Sequence, residues 1–162
     1  MSQPLEISNV WMNVTPGLTT EIVSFWTSNQ MLHEGVDANA RSKQVVLVIR
    51  SNGKIVGLTS ADMIRFRQLN DNLFYFFRMI VLPGIQVPGI GSKMIVETRD
   101  FLESYAEKQK TNKCIGMITI VENPQLIATR NEAVWPSSKM VYIGNDKHGH
   151  HIRVYYFKGA KI

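Results

Sequence analysis

Residues 73–93 read LFYFFRMIVLPGIQVPGIGSK. Leu73–Val81 is apolar throughout apart from Arg78, as expected of a central strand buried on both faces. Leu82–Gly91 follows as a loop rich in Gly and Pro. From Ile90 the residues Met94, Ile95, Thr98, Phe101, Leu102 and Tyr105 recur at helical spacing to about Lys110. A strand therefore feeds a long amphipathic helix through a glycine loop. Glycine lets backbone approach a ligand closely. The first-turn amides of a helix have no intrahelical acceptor and carry partial positive charge. Together these make a cradle for a phosphate.

Three phosphate-loop patterns compete for this stretch. A Walker A loop counted from Gly84 finds its second glycine at Gly89 but has Ile90 where the phosphate-gripping lysine belongs. A dinucleotide fingerprint fits Gly89 and Gly91 and then meets Met94 instead of a third glycine. The pattern Q/R-x-x-G-x-G/A is met in full by Gln86-Val87-Pro88-Gly89-Ile90-Gly91, with Pro83 three residues ahead.

Outward from the loop, local signals order the other elements. Leu5–Val14 alternates as a strand, and Thr15-Pro16 is an N-cap followed by Pro at N1. Leu18, Ile22, Phe25 and Trp26 continue a helix. Residues 33–42 are polar and suit a loop or a short second helix. Gln44–Arg50 and Lys54–Ser60 are strands joined at Asn52-Gly53, residues that tolerate positive φ in a two-residue hairpin turn. Cys114–Val121 is a short buried strand, and Asn123-Pro124 opens a helix to about Asn131. Met140–Gly144 and Ile152–Phe157 form a closing hairpin. The order is β-α-β-β-β-α-β-α-β-β, and Leu73–Val121 is a parallel crossover unit, right-handed by the general rule.

On these residues and this order, from about Gln44 to Phe157, the chain resembles the GNAT superfamily of acyl-CoA-dependent N-acyltransferases. The resemblance implies an α/β fold: a mixed, mostly antiparallel sheet, a parallel pair splayed at a cofactor cleft, and helices on both faces. It implies a single domain over residues 1–162 that transfers an acetyl group from acetyl-CoA to a primary amine by direct attack in a ternary complex. It assigns the pyrophosphate of the cofactor to backbone groups of Val87, Gly89, Ile90, Gly91 and Ser92, with Gln86 and Lys93 nearby. Pro88 lies in the same stretch but has no N–H to give. The pantetheine arm is assigned to the strand at Ile80, Val81 and Leu82, with an N–H near Val81 or Leu82 polarising the thioester carbonyl. Asn123 matches the Asn after the next strand that often contacts the cofactor, and it also suits helix capping.

Two departures from the family pattern bear on proton transfer. Many members carry a Tyr about seven residues after the Asn; here that position is Arg130. Some carry a glutamate on the central strand; here Tyr75 lies about there. Glu122, ending its strand at the cleft, is the weak candidate base, with an exposed loop carboxylate as its plain alternative. Tyr142, Tyr155 and Tyr156 are candidate acids, although their alternation makes them sheet residues first. These departures leave a non-catalytic acyl-CoA-binding regulatory domain as an alternative.

Composition narrows the rest. Of 162 residues, 44% are hydrophobic and 19% charged, which excludes disordered, collagenous and coiled-coil classes. The single Cys114 excludes an intrachain disulfide and a multi-Cys zinc site. His148, His150 and His151 lack a placed carboxylate or Cys to complete a metal site, so no metal is expected. No apolar run approaches the roughly 18 residues that span a bilayer, and no membrane partner is expected. The first ten residues lack a signal-peptide pattern, which leaves the cytoplasm as the default location. The net charge is +5, of which +4 falls in residues 139–162, where Lys139, Lys147, Arg153, Lys158 and Lys161 oppose Asp146. That segment is either a solvated basic tail or an attractor of anions. Nucleic acid is thus a possible but not favoured partner, with a nucleic-acid-associated acyltransferase as a further alternative. The closing hairpin could pair edge to edge in a homodimer.

Overall fold

The structure is a computed structural model that describes residues 4–85 and 87–162. Its elements run β1 (Leu5–Asn9), α1 (Pro16–Ser28), α2 (Ala38–Ser42), β2 (Val45–Ser51), β3 (Lys54–Phe66), a 3₁₀ turn (Arg67–Leu69), β4 (Asn72–Val81), α3 (Ile90–Glu107), β5 (Gly116–Val121), α4 (Pro124–Thr129), β6 (Val141–Asn145) and β7 (His151–Tyr156). The seven strands form one sheet in the order β1-β2-β3-β4-β5-β7-β6. It is mostly antiparallel with one parallel pair, β4 and β5, as expected from the sequence.

Local signals produce the expected boundaries where the chemistry is local. The Leu18 amide donates to Thr15 Oγ1 at 3.2 Å and Pro16 opens α1. Asn52 and Gly53 both have positive φ, at 51° and 78°, and turn β2 into β3. The Gln125 amide donates to Asn123 Oδ1 at 2.9 Å, so Asn123 caps α4. Two lengths depart from expectation. β1 ends at Asn9, because the Asn9 side chain accepts the Trp11 amide and turns the chain. β3 continues six residues past Ser60, because Ile64 and Phe66 still pack inward while Met63 and Arg65 face solvent.

The chain divides into two compact units, Met1–Ala61 with Arg78–Met94, and Asp62–Phe77 with Ile95–Ile162. In the first, Ile22, Phe25 and Trp26 of α1 pack on Val45, Val48, Ile55 and Leu58 of β2 and β3, with Ile80 and Leu82 at the margin. Each such buried side chain contributes about 1.5–3 kcal/mol. In the second, Phe74, Ile118, Ile152 and Val154 form the core of one sheet face. The expectation that β4 is buried on both faces is corrected. Phe74, Tyr75 and Phe77 are buried, whereas Arg78–Leu82 is only half-buried. The β4–β5 ladder pairs Tyr75 with Met117 and Phe76 with Ile118. At Phe77 the carbonyl instead accepts the Thr119 hydroxyl, at 3.0 Å.

Candidate active site

In the first unit the end of β4 is held against β3. The Leu82 amide donates to the Val56 carbonyl at 2.8 Å. Gly57 sits so close to Ile80 that a Cβ there would lie 2.9 Å from the Ile80 carbonyl oxygen. In an antiparallel ladder a residue directs its N–H and C=O to the same side, and the side alternates along the strand. Ile80 and Leu82 thus address β3, and Val81 turns its N–H and C=O to the other edge. Of the two amides expected to polarise a thioester, that of Leu82 is committed to the sheet.

The loop beyond is two turns in succession. Ile85 donates to the Leu82 carbonyl at 3.0 Å across Pro83-Gly84. Ile90 donates to the Val87 carbonyl at 3.1 Å across Pro88-Gly89. Gly89 has φ of +77°, the conformation that the third residue of a type II turn demands and that glycine supplies without strain. Its carbonyl accepts the Lys93 amide at 2.9 Å, so Gly89 also serves as the N-cap of α3. The donor set narrows as a result. Ile90, expected to give its amide, spends it inside the turn. Gly91 and Ser92, at the second and third helical positions, have no backbone acceptor among the described residues. Nothing lies within 4 Å of where a Gly89 Cβ would stand, and Gly91 meets only Met79 Cε, at 3.7 Å. Among the described residues, no side chain crowds Gly89 or Gly91 more closely than that. A groove of about 190 Å3 runs beside it, lined by Leu5 and Ile7 of β1, by residues 87–90 and by Lys93. Gln86 lies outside the described residues.

In the second unit β5 delivers Glu122 and Asn123 past its carboxyl end. Both are exposed, and Asn123 directs its oxygen to its own helix. Arg130 occupies the C-cap of α4. Its carbonyl takes Trp135 Nε1–H at 2.8 Å and an Arg153 guanidinium N–H at 3.2 Å. Tyr75 is buried, and desolvation raises its phenol above the ordinary range, which makes it a poor proton donor. Among the candidate acids, Tyr142 donates its hydroxyl to Asn145 Oδ1 at 2.7 Å, Tyr155 lies under the Arg99 guanidinium, and Tyr156 packs edge-on against Phe74.

Two readings of the terminal segment are corrected. Arg153, counted there as surface charge, is 1% exposed and stacks 4.4 Å over Trp135, because three carbonyls of residues 130–140 converge on it. A carboxylate does sit among the histidines: Asp146 accepts the amides of His148 and His150 at 2.8 and 2.9 Å and lies 3.3 Å from His150 Nδ1. Even so, no group of three metal-ligating side chains shares a site among the described residues. What the sequence reading missed is the register of β7, which sets His151 opposite Val121 at the carboxyl end of β5. Only the spacing of the closing hairpin hinted at it.

No family model matches the chain, and no curated protein matches it in sequence. Solved structures do match in shape. A GNAT-family acetyltransferase from Streptococcus pneumoniae aligns at a TM-score of 0.65 and 12% identity, over 95% of this chain and 99% of that one. The ribosomal-protein-S5-alanine acetyltransferase of Vibrio fischeri aligns at 0.64 and 11%, over 100% and 98%. NAA60 of Arabidopsis thaliana, solved in complex with acetyl-CoA, aligns at 0.57 and 11%, over 96% and 100%. With so few residues in common, what the alignments share is architecture, and the chain has the GNAT acetyltransferase fold.

Proposed function

We propose that the protein is an acetyl-CoA-dependent N-acetyltransferase acting on a primary amine. The observation that carries this reading is the cap of α3. A left-handed Gly89 and unclaimed amides at Gly91 and Ser92 stand at the end of a strand whose Val81 edge faces away from β3. Two first-turn amides with the helix dipole behind them suit a diphosphate. The small residues at 89 and 91 leave room for it to approach. The donor supplies an activated acyl group. The chain's own part is to hold the diphosphate with Gly91 and Ser92, and to offer the Val81 N–H to the carbonyl oxygen as negative charge grows there.

Titration calorimetry with acetyl-CoA tests the reading. Wild type is expected to bind, and Gly89→Trp, which combines a bulky side chain with an unfavourable φ, to lose at least tenfold in affinity. Equal binding by both proteins, or none by wild type, overturns it. A second reading, a non-catalytic acyl-CoA-binding domain, is favoured by one observation: Arg130 and buried Tyr75 occupy the two expected proton-handling places. Sustained release of CoA with any amine acceptor eliminates that alternative.

A further inference from the structure

The unit Asp62–Phe77 with Ile95–Ile162 holds a groove of about 250 Å3 at the amino end of β5, the end away from Glu122. Three segments wall it: the last turns of α3, residues 113–115 leading into β5, and residues 157–161 after β7. We propose that this groove binds a free α-amino acid with an aliphatic side chain. Such a ligand brings an ammonium, a carboxylate and an apolar body together. The inference goes beyond the function proposed above and does not depend on it.

Backbone contacts fix the walls. The Phe157 amide donates to the Ile115 carbonyl at 2.8 Å, which carries the pairing of β5 and β7 one step past Gly116 and Tyr156. The Lys158 amide donates to Glu103 Oε2 at 2.7 Å and ties the chain after β7 to α3. The chain then turns at Gly159, with φ of +77°, and the Ala160 amide donates to the Phe157 carbonyl at 3.0 Å.

The lining sorts by chemistry. Its buried part is apolar save for a thiol, and consists of Ala106, Cys114 and Phe157. Glu103 and Glu107, four residues apart and so on one helix face, put their carboxylates on the α3 wall. The carbonyl end of the helix adds partial negative charge there. Lys113, Lys158 and Lys161 put their ammonium groups on the other two walls. Among the described residues, no ion pair joins the two sets. Opposite charges that line one cavity without meeting suit a ligand that carries both signs a few atoms apart. A simple anion there would face the two carboxylates, and a simple amine would face the lysines. In an α-amino acid the ammonium goes to α3, to Glu107 above all, since Glu103 already accepts an amide. The carboxylate goes to the lysines and the side chain to the surface around Cys114. Pockets for drug-sized ligands commonly run to roughly 300–1,000 Å3, so this one takes a small molecule.

The test is amide NMR on the full chain at pH 7, with L-leucine as the probe. Two analogues each lack one charge: isoamylamine has no carboxylate, and 4-methylpentanoate has no ammonium. Glycine lacks the apolar body. Leucine is expected to shift the amides of Ala106, Cys114 and Gly159 with a Kd on the order of 0.1–1 mM. Each analogue, and glycine, is expected to bind about tenfold more weakly or worse, since each gives up one set of contacts. Glu107→Gln, and separately Lys113→Gln with Lys161→Gln, change exposed positions and keep the fold. Both are expected to weaken leucine about tenfold. The proposal is overturned if leucine shifts none of the three amides, if either analogue or glycine binds as tightly as leucine, or if either variant keeps the wild-type affinity.

Discussion

Two glycines two residues apart in the cap of α3 have opposite conformational requirements, so the same substitution is expected to act on them with opposite sign. Gly89 has φ of +77° and open space where a Cβ would go. Alanine there meets no neighbour, and the whole cost is that of a left-handed L-residue, about 1–2 kcal/mol. Reduced freedom of the unfolded chain offsets about 0.4–1 kcal/mol of this. The net expectation is a destabilisation of about 1 kcal/mol. Gly91 lies inside the first helical turn with no positive φ, and its added methyl would rest 3.7 Å from Met79 Cε, an ordinary contact. Only the unfolded-state gain then remains, a stabilisation of about 0.4–1 kcal/mol. The two variants should therefore differ by about 1.5–2 kcal/mol. Urea unfolding of Gly89→Ala and Gly91→Ala beside wild type measures the difference, read as midpoints at unchanged slope. Midpoints shifted in the same direction by both variants would refute the turn geometry from which the amide cradle is derived.

Other expectations follow from the same contacts. Gly57→Ala would place a Cβ 2.9 Å from the Ile80 carbonyl and 3.0 Å from Ile49 Cδ1. It should cost about 1–3 kcal/mol by overpacking and weaken acetyl-CoA binding, read by thermal unfolding and calorimetry. Arg153→Met should cost only about 1–2 kcal/mol, because the three carbonyls it serves each keep another donor and a buried charge is removed with it. Arg153→Ala, which also empties the space over Trp135, should cost about twice as much, and equal losses in the two variants would contradict this account. Burial pushes the Cys114 thiol up to about 12. The folded state then holds the proton that the unfolded state releases near pH 8.5, so stability should fall as pH rises between about 9 and 12. Cys114→Ala should flatten that limb, measured as urea midpoint against pH.

How much was legible in advance depended on the range of the interaction. Thr15-Pro16, Asn52-Gly53 and Asn123-Pro124 announced their caps and turn because each acts on amides within three residues. Gly89 and Gly91 were legible for the same reason. The ends of β1 and β3 were not, since Ile64 and Phe66 join a core drawn from distant strands.

From its residues alone, this chain specified the order of its elements, the glycine turn that caps the long helix, and the lack of a carboxylate on the central strand. These are properties of short windows, in which backbone conformation and side-chain size act on near neighbours. Tertiary structure decided which amides of the turn stay unclaimed, since the competing acceptors on β3 and in the loop are set by pairing. It also took Arg153 out of an apparent basic tail and set it over Trp135, and it brought His151 level with the end of β5. Each of those outcomes depends on strand register, where a slip of one residue reverses every side chain, and register is settled only when the whole sheet closes.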